Sequence, residues 1–176
     1  MGEMSKDEFF AFMPLLIYGI AIGEIIMHWR DYLKKDRRYW PHIITGIILL
    51  DMAFLNFYYL YDELNLLFET YPKFLGRMTT PIIFLLIVSV FTPEDDDDLK
   101  DYFLSKMKMI FSLLALFITV HIVLNFEFNF INILRSIAII NFLVIAYTRK
   151  FNLIWIYVSI RVFVFFFNTY FQNLFQ

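Results

Sequence analysis

The sequence predicts an all-α integral membrane protein, a single domain over residues 1–176 built as a six-transmembrane-helix bundle with both termini non-cytoplasmic. Three observations lead there. Hydrophobic residues make up 60% of the 176 positions, where soluble domains hold about 45–50%, and the mean hydropathy is +0.63. The apolar residues gather into six runs. A helix of about twenty residues rises roughly 30 Å, the thickness of the hydrocarbon core of a bilayer. Lys and Arg also alternate between successive loops in the way that sets orientation.

The acidic N-terminus, MGEMSKDE, lacks the positive region of a secretory signal, so the first span, Phe9–Trp29, reads as retained. The second, Trp40–Tyr61, is almost wholly apolar with one carboxylate, Asp51, at its centre. The third, Arg77–Thr92, is the shortest and contains Pro81, which a first turn tolerates; a start near Tyr71 also fits. Pro93 ends that helix, and Asp98 caps the next with Asp101 at its third position. The fourth span is Phe103–Phe126, on a helix that starts at Leu99 with an interfacial mixture of Lys100, Lys106 and Lys108 among apolar residues. The fifth is Phe130–Tyr147 and the sixth Phe151–Phe171.

The loops after spans one, three and five hold Arg30, Lys34, Lys35, Arg37, Arg38, Lys100, Lys106, Lys108, Arg149 and Lys150. The opposite side holds Lys6, Lys73 and Arg77. The basic loops are expected in the cytoplasm, which makes this a multi-pass protein of the cell inner membrane. Trp29, Trp40 and Trp155 fall near that surface, and Tyr58, Tyr59, Tyr61 and Tyr71 near the other.

A net charge of −2, with charges placed between apolar runs, excludes a nucleic-acid binder. Cysteine is absent, and with it thiolate metal sites and cysteine nucleophiles. Metalloprotease, phosphate-loop and serine-hydrolase motifs are absent too, and one intramembrane aspartate is too few for an aspartyl protease. No cofactor and no metal is expected. A site of Glu24, His28 and His42 is disfavoured because two of the three read as lying near solvent, and His42 after Pro41 reads as interfacial.

Asp51 is the leading functional candidate, because a charge at the bilayer centre costs at least about 2.5 kcal/mol. Arg161 is its natural partner: counted from the cytoplasmic ends of spans two and six, both lie roughly 15 Å deep. Glu24 lies toward the cytoplasmic third with His28 one turn on, and Arg135 toward the outer third, where His121 and Asn125 share its depth. Asn141, Asn168, Asn56 and Thr45 add polar atoms. Gly19 and Gly23 form a small-xxx-small pair that permits close helix packing.

Tyr18-Gly19 followed by Glu24, Tyr39-Trp40-Pro41-His42, Phe91-Thr92-Pro93-Glu94 and Asp101-Tyr102-Phe103 resemble a loose group of small, uncharacterised bacterial proteins with six membrane spans. That resemblance implies the six-span architecture and carries no activity.

The leading expectation is an oligomeric channel or transporter for protons or small ions, with Asp51 and Arg161 as its central polar contact and Glu24 at the cytoplasmic mouth. The alternative is a membrane-embedded sensor or effector that acts with a soluble cytoplasmic partner through Arg37, Arg38 and Asp95, Asp96, Asp97 and Asp98. A third reading is an intramembrane lipid-modifying enzyme.

Overall fold

A computed structural model of the chain describes residues 6–34, 38–63, 70–94, 98–124 and 129–172, with side chains over 12–34, 38–59, 70–94, 98–124 and 129–166. Among these residues all regular structure is helical: α1 (Lys6–Tyr32), α2 (Trp40–Glu63), α3 (Tyr71–Phe91), α4 (Leu99–Leu124), α5 (Phe130–Thr148) and α6 (Ile154–Gln172), with a 3-10 turn at Phe151–Leu153. Five of the six are long and apolar enough to cross a membrane, and the described apolar stretch of the last, Phe151–Phe166, is shorter. The architecture is that of a helical membrane protein. Large apolar side chains such as Met27, Phe54, Ile82, Leu116, Ile140 and Val162 are exposed on all six helices, as a bilayer solvent requires.

The helix ends follow local chemistry. Asp98 caps α4 by accepting from the backbone N–H groups of Lys100 and Asp101, both at 3.0 Å. Asn129 does the same for α5, accepting from Asn132 N–H at 2.9 Å. Arg149 closes α5 in a left-handed conformation, φ 56°, and its N–H reaches Ile145 O at 2.9 Å. Tyr102 of α4 donates to Val90 O and Thr92 O at 2.8 and 3.1 Å, covering carbonyls that the end of α3 leaves open.

The third helix takes the earlier of the two starts that the sequence allowed. It begins at Tyr71, with Pro72 in its first turn, so Pro81 lies ten residues inside it. Arg77, counted above with the loops, is therefore a residue of the bundle.

In space the helices run α2, α1, α3, α4, α5, α6, each packed chiefly on the next, and α4 also reaches α2. The first and last members of this row face one another without extensive packing. Aromatic rings stitch the row together: Tyr18 to Phe84 at 5.4 Å and Phe84 to Phe117 at 5.7 Å, then Phe111 to Phe142 at 5.8 Å and Phe142 to Tyr157 at 4.7 Å. Glycine contributes at Gly46, where an added Cβ would lie 3.2 Å from Phe91 and 3.3 Å from Trp29. Gly19 and Gly23 do not pack this way. A Cβ on either meets nothing within 4 Å, because that side of α1 faces out of the row.

The end bearing the basic connections is closed. His42, expected at the interface, is fully buried there. Its ring stacks on Phe91 at 4.0 Å and meets Tyr32 and Phe103 edge-on at 4.5 and 5.7 Å. Phe151 extends the cluster from Phe103 at 5.8 Å. Rings from α1, α2, α3, α4 and the 3-10 turn thus fill the space between the helix ends.

Candidate functional site

Asp51 and Arg161 meet across the seam between α2 and α6, as their equal depth allows. Arg161 Nε and Nη2 both donate to Asp51 Oδ2, at 2.8 and 2.5 Å. The pair is not buried as the sequence implied: the Asp51 side chain is 51% exposed and that of Arg161 24%. The reason is topological. The pair joins the two ends of the helix row, which leaves it at the edge of the bundle.

Behind this seam, in the half of the bundle away from the closed end, lies a cavity of about 730 Å³. All six helices contribute to its wall. Its charged and ionisable lining is Arg77 from α3, His121 from α4, Arg135 from α5 and Arg161 from α6, with Tyr18 from α1, Tyr58 and Tyr59 from α2 and Tyr157 from α6. Among the described lining residues there is no carboxylate. The remaining wall is largely apolar, including Met52, Leu55, Phe117, Ile118, Leu134 and Val164. Arg135 is held by Asn132, whose Oδ1 accepts from its Nη1 at 3.0 Å.

The proline in α3 shapes this wall. Pro81 has no N–H to give to the carbonyl of Arg77, four residues back. The Thr80 hydroxyl donates to that same oxygen at 3.1 Å, so the backbone group freed by the proline is satisfied inside the bundle. Pro81 and Thr80 both line the cavity.

The structure thus brings together Arg161, Arg135 and His121, with Asp51 at the edge. It leaves two candidates elsewhere. Glu24 is on α1, outside the cavity lining, 3.7 Å from His28 Nδ1. Asn141 is tied to the chain turn before α6: its Nδ2 donates to Leu153 O at 3.0 Å. That is a structural bond near the closed end, so Asn141 belongs to the fold rather than to the site. Arg38 is exposed, its guanidinium 5.4 Å over the Trp40 ring, and the Asp98 carboxylate is engaged as a cap. Arg37, Asp95, Asp96 and Asp97, like Asn125, lie outside the described residues, as does the side chain of Asn168. Among the described residues no three His, Asp or Glu side chains are placed to hold a metal ion.

Two contributors were not among the sequence candidates. Arg77 was hidden because TYPKFLGR reads as polar loop; the signal that reveals it is Pro72, a residue suited to a helix's first turn. Tyr157 is buried against Phe142 and lines the cavity beside Arg161, yet in the sequence it is one of eleven tyrosines. No protein-family model, curated protein or solved structure matches the chain.

Proposed function

We propose that this protein is a small transporter of the inner membrane that takes an anion into the arginine-lined cavity. The observation that carries this reading is the convergence of Arg77, Arg135 and Arg161, with His121, on one space without a carboxylate among the described lining residues. Guanidiniums stay charged at any physiological pH, and three of them on the wall of one cavity, one shared with Asp51, give a negative group charge-assisted donors to meet. The site therefore favours anions and repels protons and metal cations. This revises the sign of the ion expected from Asp51: that carboxylate is occupied by Arg161 at the seam and does not line the cavity.

The ring cluster at the basic end favours a carrier over an open pore. A cavity in one half of the bundle, with packed side chains closing the other end, fits one state of an alternating-access cycle. With the basic loops in the cytoplasm, the cavity serves the outer half of the bilayer.

The test is uptake into proteoliposomes. Naphthalenesulfonate and naphthylmethylammonium, matched in size and opposite in charge, are presented to vesicles carrying the full chain. Uptake of the anion at least about 10-fold above the cation, lost in Arg135→Gln at equal insertion, is the expected result. Equal uptake of both, or preference for the cation, would overturn the reading.

A further inference from the structure

We infer that the anion is the head of an amphiphile, a phosphate-type group on an aliphatic chain, and that it reaches the cavity sideways from the bilayer through the seam between α2 and α6. The inference rests on the anion reading above and narrows its ligand class.

Size and wall chemistry come first. A water molecule occupies about 30 Å³ of liquid, so a cavity of about 730 Å³ has room for roughly two dozen waters. A chloride or bare phosphate would leave most of it filled with water against Met52, Leu55, Phe117, Ile118, Leu134 and Val164. Pockets of about 300–1,000 Å³ with apolar walls and a few convergent polar groups take molecules with an apolar body. Here three of the polar groups are guanidiniums and the described lining holds no carboxylate, which suits an anionic head on that body. Arginine suits phosphate in particular, because its planar fork meets two oxygens at once.

The route comes second. Five neighbouring pairs in the helix row are packed, but among the described residues α2 and α6 close on each other mainly through Asp51 and Arg161. A seam between apolar outward faces is open to lipid chains and closed to hydrated solutes. Ile47 and Phe54 on α2, and Val162 and Phe165 on α6, present large apolar surface on either side of it.

The ion pair then acts as a latch. Both of its hydrogen bonds go to one oxygen of Asp51, and Arg161 also lines the cavity. A phosphate head arriving at the seam competes with that carboxylate for the same guanidinium. The exchange trades one charge-assisted pair for another and leaves Arg161 neutralised throughout.

The experiment measures binding to the full chain in nanodiscs of neutral phosphatidylcholine, by scintillation proximity with three labelled probes. These are 1-palmitoyl lysophosphatidate, sn-glycerol 3-phosphate and 1-monopalmitoylglycerol: head with chain, head alone, and chain alone. Lysophosphatidate is expected to bind at least about 100-fold more tightly than either fragment. Arg77→Gln and Arg135→Gln should each weaken it by at least about 10-fold. Asp51→Asn, which releases Arg161, should tighten it, while Arg161→Gln weakens it. Equal binding of glycerol 3-phosphate would overturn the amphiphile and leave the anion site standing. Equal binding of monopalmitoylglycerol, or binding of none of the three, would overturn both. Weakening by Asp51→Asn as severe as by Arg161→Gln would make the pair a structural clamp and overturn the latch.

Discussion

At the scale of residues, the Asp51–Arg161 contact was legible because helical rise is fixed. Two residues counted to the same depth from the same surface must lie level, whatever the packing. Their exposure was not legible, since it depends on which helices lie at the ends of the row. The glycines show the same division. Spacing singled out Gly19 and Gly23, but spacing cannot say which side of α1 is covered; Gly46 matters because Trp29 and Phe91 converge on it. Gly46→Val should therefore lower stability by about 1–3 kcal/mol through overpacking, and Gly19→Ala should not lower it and should raise it by up to about 1 kcal/mol, as thermal unfolding in detergent will show. For the ion pair, a double-mutant cycle of Asp51→Asn and Arg161→Gln should give a coupling of at least about 0.5 kcal/mol. Simple additivity would mean that the pair contributes nothing to holding the seam.

At the scale of elements, five helices sit close to where hydropathy and caps placed them, and α3 takes the earlier of the two starts the sequence left open. Its first turns hold Pro72, Lys73, Gly76 and Arg77, a composition that hydropathy reads as loop. Proline at the start of a helix costs nothing, because the N–H it lacks has no helical partner there. Extending α3 back to Tyr71 moved Arg77 into the cavity wall and Pro81 into the helix interior. The Thr80 hydroxyl, bonded to the carbonyl that Pro81 orphans, makes a reciprocal pair of outcomes. Thr80→Val should cost about 1 kcal/mol in unfolding measurements, and adding Pro81→Ala, which restores the backbone donor, should recover most of it. Failure of the second change to rescue the first would mean that the hydroxyl does not serve that carbonyl.

At the scale of the whole molecule, the row of helices with unpacked ends explains three features together: an exposed ion pair, a cavity behind it, and apolar faces on either side. None of these is encoded in any one span, and so none was readable before the helices were set beside one another. The six-span topology is open to direct test because the chain has no native cysteine. Single cysteines at Arg38, Lys106 and Lys150 should react with a membrane-impermeant maleimide only after the cells are opened. Cysteines at Tyr71 and Asn129 should react in intact cells; reaction of both sets from the same side would break the topology.

The cavity's sign of charge is the centre of the account, and equilibrium binding measures it most directly. Purified full chain is titrated with naphthalenesulfonate and with naphthylmethylammonium, in the wild type and in Arg135→Gln. The account expects the wild type to prefer the anion by at least about 10-fold and the variant to lose most of that preference with the fold intact. Preferential binding of the cation by the wild type would contradict it and return attention to Asp51 as a site for protons or metal ions.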